Sequence, residues 1–314
     1  MKILITGAAG FIASHIADQY IEDGHEVIIV DNLSTGYAEN LNKKAKFYLM
    51  DICSETLEEV FKIEKPDIVN HHAAQISVPV SVKKPLFDAE VNVKGLINVL
   101  ENSRKYNVKK IIFISSGGAV YGEAEEYPTS EEYVPIPLSP YAINKFVAEK
   151  YLHFYNHNYG LDYTVLRYAN VYGPRQVSHG EAGVVSIFIE KLLRNQPVNL
   201  YAYEDEPEGM VRDYVYVKDV VSANVKALDK GSKQSINIGT GIETTTSKLL
   251  NLIIKILEKE TEIIKGPARP GDIRRSCLKI GKARKELDWE PKYNLNQGII
   301  ETVRYFQNKF DKKE

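Results

Sequence analysis

Tyr141 and Lys145 stand four residues apart in the run Ser139-Pro140-Tyr141-Ala142-Ile143-Asn144-Lys145. Ser139 suits a helix N-cap and Pro140 the first helical position, so both side chains fall on one face of the helix that follows. A phenol of ordinary pKa, about 10, is a poor base near neutrality, but an ammonium beside it favours the phenolate. The pair is a candidate for moving a proton. On spacing alone such a pair is more often an exposed helix pair, so the surroundings decide. Ser115 and Ser116 follow the apolar run Lys110–Ile114 and open the stretch Ser115-Ser116-Gly117-Gly118-Ala119-Val120-Tyr121-Gly122. In a doubly wound sheet, ligands bind outside the carboxyl ends of the strands, and these serines would face them.

A second constellation stands at the start. The apolar run Lys2–Thr6 leads into Gly7-Ala8-Ala9-Gly10-Phe11-Ile12-Ala13, a G-x-x-G-x-x-A turn ahead of a helical pattern. Glycine lets the backbone approach a pyrophosphate, and the N–H groups of the helix start supply positive potential. Asp31 ends the next apolar run, Glu26–Val30, where a carboxylate accepts ribose hydroxyls and repels a 2′-phosphate. No Arg follows Asp31 before Arg104. The expected cofactor is NAD.

These residues need a scaffold, and the first half of the chain supplies its pattern. Further strand-like runs are Lys46–Leu49, Asp67–Asn70, Lys110–Ile114 and Tyr163–Leu166, with helical stretches such as Asn92–Tyr106 and Tyr141–Tyr159 between most of them. Continuous apolar strands alternating with helices predict an α/β fold: a Rossmann-type, doubly wound parallel sheet. After Asn170 prolines break the chain into shorter pieces. A smaller mixed α/β domain is expected from 170–212 and 239–314, while 1–169 forms the dinucleotide-binding domain. The segment 213–238 crosses back, with Tyr214–Val217 and Ser235–Ile238 as strands of the main sheet.

Composition narrows the function further. The 314 residues carry 40 Lys plus Arg against 42 Asp plus Glu, a formal charge of −2, which gives no pull toward nucleic acid or a membrane surface. Cys53 and Cys277 are the two cysteines, too few for a disulfide framework or a multi-cysteine metal site. His71-His72 has no carboxylate companion at ligand spacing, and the tyrosine-rich surroundings of His153 and His157 point to packing or a solvated face, so no metal is expected. No apolar run reaches the roughly 18 residues of a membrane span. The expected compartment is the cytoplasm.

The glycine turn, Asp31, His71-His72-Ala73-Ala74-Gln75, SSGGAVYG, YxxxK, Leu166–Arg175 and Arg212-Asp213-Tyr214 together resemble the extended short-chain dehydrogenase/reductase family. The likeness is strongest to nucleotide-sugar epimerases of the UDP-glucose 4-epimerase type and runs from Met1 to Trp289-Glu290-Pro291. It implies that Tyr141 removes the proton of the sugar 4-hydroxyl while NAD takes the C4 hydrogen, that Lys145 lowers the tyrosine pKa and holds the nicotinamide ribose, and that a serine hydrogen-bonds the sugar oxygen. Many relatives carry that hydroxyl where this chain has Gly117, so Ser116 is the candidate here.

The resemblance also implies a cofactor set: Gly7, Gly10, Phe11, Ile12, Asp31, Asn32, Ser34, Thr35, Gly36, Asp51, Ile52, His72, Ala73, Ala74, Gln75, Asn92, Ser115 and Tyr168, with Tyr141 and Lys145. On the substrate side it implies Asn170, the Ala182–Val185 segment (Gly183, Val184, Val185), Tyr201, Arg212, Arg269, Asp272 and Ser276, with Ser116 and Tyr141. A small residue at 276, where some relatives carry tyrosine, would leave room for an N-acetyl group. Dehydratases of the family place Asp-Glu before the Val-Tyr, whereas this chain has Gly118-Ala119, which favours epimerisation. Alternatives are UDP-N-acetylglucosamine or UDP-glucuronate as the sugar, or dehydration. A homodimer built on the helices at Asn92–Tyr106 and Tyr141–Tyr159 is the implied assembly.

Overall fold

Six strands precede Ala169: β1 (Lys2–Thr6), β2 (Glu26–Asp31), β3 (Lys46–Leu49), β4 (Ile68–His71), β5 (Lys110–Ser116) and β6 (Asp162–Tyr168). The computed structural model describes residues 1–177, 183–269 and 272–311. In the rest of the chain the strands are β7 (Asn170–Tyr172), β8 (Val198–Ala202), β9 (Val211–Tyr216), β10 (Gln234–Ile238), β11 (Glu243–Thr245), β12 (Ile263–Pro267) and β13 (Arg275–Ser276). A seven-stranded sheet runs in the order β10-β6-β5-β4-β1-β2-β3, and every pairing in it is parallel. The inner strands β1, β2, β4 and β5 are largely apolar on both sides because both faces are covered, while the edge strand β3 is mostly exposed. Ile3 and Ile5 enter one core and Leu4 the other.

The covering helices are α1 (Phe11–Glu22), α2 (Leu57–Glu64), α3 (Val78–Lys83), α4 (Pro85–Ala89), α5 (Gly95–Lys105), α6 (Gly117–Val120) and α7 (Pro140–Tyr159). Beyond them lie α8 (Val184–Leu193), α9 (Val217–Ala227), α10 (Thr246–Leu257), α11 (Gly281–Leu287) and α12 (Leu295–Asp311). The helix expected from Asn92 begins later, at Gly95, because Glu90–Lys94 forms a π-helical turn. Such turns recur at functional sites. Helix α7 begins as the sequence reads, with the Ser139 side chain accepting from the Ala142 N–H.

One expectation about the crossover is corrected. Gln234–Ile238 joins the main sheet beside β6, but the strand over Tyr214–Val217 does not. That strand, β9, belongs to a second sheet, pairing with β7 and β13 in parallel and with β11 antiparallel. The alternating tyrosines and valines specify a strand without specifying its partners. Side chains from β7, β9, α8, α10 and α12, among them Tyr172, Tyr216, Ile189, Ile253 and Val303, form a third core. A short sheet of β8 and β12 completes this half. No helix among the described residues is long and apolar enough to cross a membrane.

Candidate active site

The turn after β1 is shaped by how closely its neighbours approach. Gly7 has φ +76°, and a Cβ there would lie 2.6 Å from the Ala73 nitrogen and 2.8 Å from its Cα. Only glycine allows both that backbone and that contact. Gly10 caps α1 and its N–H bonds the Gly7 carbonyl at 3.1 Å. Phe11 and Ile12 begin the helix and lean on the third and first cores. The loop with Ser34, Thr35 and Gly36 closes over the turn, where a Cβ on Gly36 would meet Ala9 Cβ at 2.6 Å.

Asp31 sits at the carboxyl tip of β2. Its Oδ2 accepts the Ala9 N–H at 2.9 Å and its Oδ1 the Leu33 N–H at 2.8 Å. A carboxylate has about four acceptor positions, so both oxygens retain capacity for ribose hydroxyls while bracing the turn. Asn32 donates to Asp51 at 2.8 Å, and Asp51 also accepts the Cys53 N–H. Ile52 is buried in the second core. The loop after β4 is tied to β1, since Thr6 Oγ1 accepts the N–H groups of His72 and Ala73. Ala74 follows them, leading to Gln75. A glycine turn that excludes any side chain, facing a carboxylate at the next strand tip, fits a dinucleotide.

Two of the expected cofactor residues are engaged with each other. Asn92, in the π turn, accepts the Gln75 N–H at 3.0 Å and donates to its carbonyl at 2.9 Å. Ser115 turns inward, donating to Glu149 at 2.7 Å. The Tyr168 hydroxyl is buried and accepts from Asn224 at 2.6 Å. The side chains of these four residues brace the cleft.

At the end of β5 the chemistry-bearing groups meet. Burial pushes the Tyr141 phenol up to about 12, with the neighbouring Ser116 hydroxyl pulling it down. Burial pushes the Lys145 ammonium down to about 8, opposed by Asp88 and Glu149. Lys145 Nζ donates to the Ile114 carbonyl at 2.9 Å and lies 6.0 Å from the centre of the Tyr141 ring. A lysine and a tyrosine shifted this far at one strand end mark a functional site. Burial also holds His71 near 3, and its Nδ1 bonds Thr6 Oγ1 at 2.8 Å.

The two glycines after Ser116 have different surroundings. A Cβ on Gly117 would lie 2.5 Å from Leu278 Cδ1, so that face is packed. A Cβ on Gly118 would meet Asn170 Oδ1 at 3.6 Å, Ser276 Oγ at 3.8 Å and Ser116 Oγ at 4.0 Å. Three expected substrate residues from positions 116, 170 and 276 thus converge on the space that Gly118 leaves free. The second sheet brings two of them in, with Asn170 beside Tyr214 and Ser276 beside Arg212 in register.

Arg212 is held by β9 and by the residue just before β13, donating to the carbonyls of Val211 at 2.9 Å and Arg274 at 3.3 Å. Asp213 faces elsewhere, accepting from Thr240, Gly241 and Leu278. The Arg269 Nε donates to Asp272 Oδ2 at 3.1 Å and its guanidinium lies 5.0 Å from the Tyr201 ring centre. These three form a charged aromatic slot. Val185 instead enters the third core with Val184 packed against it, behind Gly183, whose φ of +88° opens α8. Ala182 lies outside the described residues. Sequence reasoning missed Asp88, Glu149 and Leu278, since nothing local distinguishes a buried helical carboxylate from an exposed one.

A parallel sheet with this glycine turn, and a Tyr–Lys pair with its lysine buried at the carboxyl end of β5, define a nicotinamide-dependent short-chain enzyme of the extended kind. Residues 3–239 match the NAD dependent epimerase/dehydratase family, and the chain belongs to it. A UDP-glucose 4-epimerase of Mycolicibacterium smegmatis is 44% identical over 315 residues, covering 98% of this chain and 99% of the relative. The crystal structure of a Thermotoga maritima UDP-glucose 4-epimerase with UDP-glucose superposes with a TM-score of 0.96 at 50% identity, covering 99% of this chain and all of that one. That of a Thermus thermophilus UDP-glucose 4-epimerase with NAD gives 0.93 at 45% identity, covering 98% and 99%.

Proposed function

We propose that this chain is an NAD-dependent 4-epimerase of UDP-hexoses, interconverting UDP-glucose and UDP-galactose through a 4-keto sugar. The observation that carries the reading is the convergence of Ser116, Asn170 and Ser276 around the space left by Gly118, with Tyr141 beside Ser116 and Lys145 6.0 Å from the Tyr141 ring centre. When bound, NAD supplies the oxidant that takes the C4 hydrogen with its electron pair and returns it. Tyr141 accepts the proton of the 4-hydroxyl and gives it back after the keto sugar has turned. Desolvation raises the Tyr141 phenol and the Ser116 hydroxyl opposes it; a protonated Lys145 beside the ring would favour the phenolate further. Ser116 donates to the sugar oxygen. The Gly117–Ala119 run places no carboxylate before Val120, and elimination of water has no acid there.

Gly7, Gly10, Asp31 and the backbone of Ala73 and Ala74 hold the cofactor, and Tyr201, Arg212, Arg269 and Asp272 hold the UDP moiety. Guanidinium groups suit phosphate geometry. Ser276, small and buried at the sugar space, supports a second reading in which UDP-N-acetylglucosamine and its galacto isomer are also turned over. The chain divides into a cofactor unit, 1–169 with 217–238, and a sugar-nucleotide unit from the remainder.

We place the enzyme in the cytoplasm as a homodimer. Val82, Leu86, Phe87 and Ile143 are exposed apolar side chains on α3, α4 and α7, which pack together. A second copy would cover that patch. The test is turnover of purified protein with UDP-galactose and no added NAD, followed by chromatography. UDP-glucose is expected; no product even with NAD supplied overturns the reading.

A further inference from the structure

Beneath the Tyr–Lys pair lies a carboxylate that the reaction scheme does not use. Asp88, on α4, is fully buried. Its Oδ2 accepts from Asn144 Nδ2 at 2.7 Å and its Oδ1 from Gln75 Nε2 at 2.5 Å. Gln75 is fixed in turn by the two Asn92 bonds to its backbone. Asn144 lies one turn from Tyr141 on α7, at a spacing of three, and is the chain neighbour of Lys145. Asp88 therefore joins the loop after β4, the α4–π-turn segment and the catalytic face of α7.

Both hydrogen-bond partners of Asp88 are neutral amides. A buried carboxylate is costly unless a positive charge shares its site. The second carboxylate near Lys145, Glu149, already has one, since it pairs with Arg167 at 2.6 Å and accepts from Ser115. We propose that Asp88 is a positioning residue for the epimerase reaction, clamping Asn144 and the catalytic face of α7 to Gln75 and serving as the counter-charge of Lys145.

The sign of the consequence is fixed by what faces the pair. Lys145 is faced by Asp88 from α4, by Tyr141 and Glu149 from its own helix, and by His71 and His72 from β4 and its loop. Both histidines are held near 3 by burial and are neutral over any working pH. Asp88 favours the protonated form of both Lys145 and Tyr141. Removing its charge lets both groups lose a proton more easily, so the acid and alkaline limbs of the rate profile move the same way, toward lower pH.

The inference rests on the epimerase reading, and wild-type turnover in the same assay tests that reading separately. For Asp88→Asn, both limbs of kcat against pH should move down by about one pH unit. Near-ultraviolet tyrosinate absorbance, referenced to an Asp88→Asn/Tyr141→Phe protein, should titrate at correspondingly lower pH. The exchanged variant Asp88→Asn/Asn144→Asp returns a carboxylate across the same hydrogen bond and should bring the limbs back to the wild-type position or beyond it. An Asp88→Asn enzyme that loses rate while both limbs stay in place has lost only structure, and the proposal falls. If that variant does not fold, the exchanged one decides: restored limbs support the counter-charge, and limbs displaced to lower pH overturn it.

Discussion

The cofactor half and the sugar-nucleotide half of this molecule solve the same task in different ways. In the first, the chemistry-bearing residues stand at the carboxyl ends of neighbouring parallel strands: Gly7 after β1, Asp31 at the tip of β2, Ala73 after β4 and Ser116 at the end of β5. One sheet positions them all. In the second, Asn170, Arg212 and Ser276 come from short strands that share β9 as their common partner, and Tyr201 and Arg269 face each other across the separate β8–β12 sheet. The difference teaches where catalysis and specificity reside. On the proposed reading, the regular sheet carries the reacting groups and the patchwork of strands shapes what they act on.

The largest expected effect breaks the comparison if it fails on the cofactor side. Tyr141→Phe removes the proton-transferring oxygen and keeps the ring. Its kcat should fall by about 10²- to 10⁴-fold, with KM for UDP-galactose nearly unchanged and NAD still bound. A variant whose KM rises instead would put Tyr141 on the binding side.

Next in size is Arg269→Ala. Losing a guanidinium that meets phosphate removes a charge-assisted hydrogen bond, roughly 1.5–3 kcal/mol. KM should rise about 10- to 100-fold while kcat changes little. Loss of kcat at unchanged KM would mean that the Arg269–Asp272 slot acts in the transition state.

The halves were unequally legible in the sequence for the same physical reason. Continuous apolar runs, the glycine turn and the Ser-Pro helix start are local signals, so β1, β2, β5 and the Tyr141 helix could be read directly. Pairing partners are not local. The strand at Tyr214–Val217 reads the same whether it joins the main sheet or, as it does, β7, β11 and β13. The later start of the helix after Asn92 was not legible, because the π turn over Glu90–Lys94 and the Asn92 side-chain bonds to the Gln75 backbone depend on contacts distant in sequence. Asp88 and Glu149 look like ordinary exposed helix acids until the fold buries them.

Ser276→Tyr sharpens the specificity side with a moderate effect. Ser276 Oγ borders the Gly118 space, and a phenol there would take the room at its edge that the N-acetyl group of the larger sugar needs. Turnover of UDP-N-acetylgalactosamine should drop more than about tenfold, while UDP-galactose stays within about threefold, because the two sugars differ by a bulky group that only one must accommodate. Equal losses would show that 276 is not beside that group.

The smallest effects come from the two neighbouring glycines, and they separate packing from pocket within a single turn. At Gly117 an added methyl meets Leu278 Cδ1 at 2.5 Å, so Gly117→Ala must push a buried leucine aside at a cost of about 1–3 kcal/mol. Thermal denaturation should register that loss. At Gly118 the same methyl makes ordinary contacts of 3.6–4.0 Å with Asn170, Ser276 and Ser116, and the free protein should unfold at nearly the same temperature as wild type. The methyl occupies space meant for the sugar, so its effect should appear only with substrate present, as a rise of KM by about 3- to 10-fold, close to the 1–3 kcal/mol of one misplaced methylene at its lower end. Should Gly118→Ala lower the melting temperature and leave KM alone, the space beside it would belong to the core and the sugar would have to lie elsewhere.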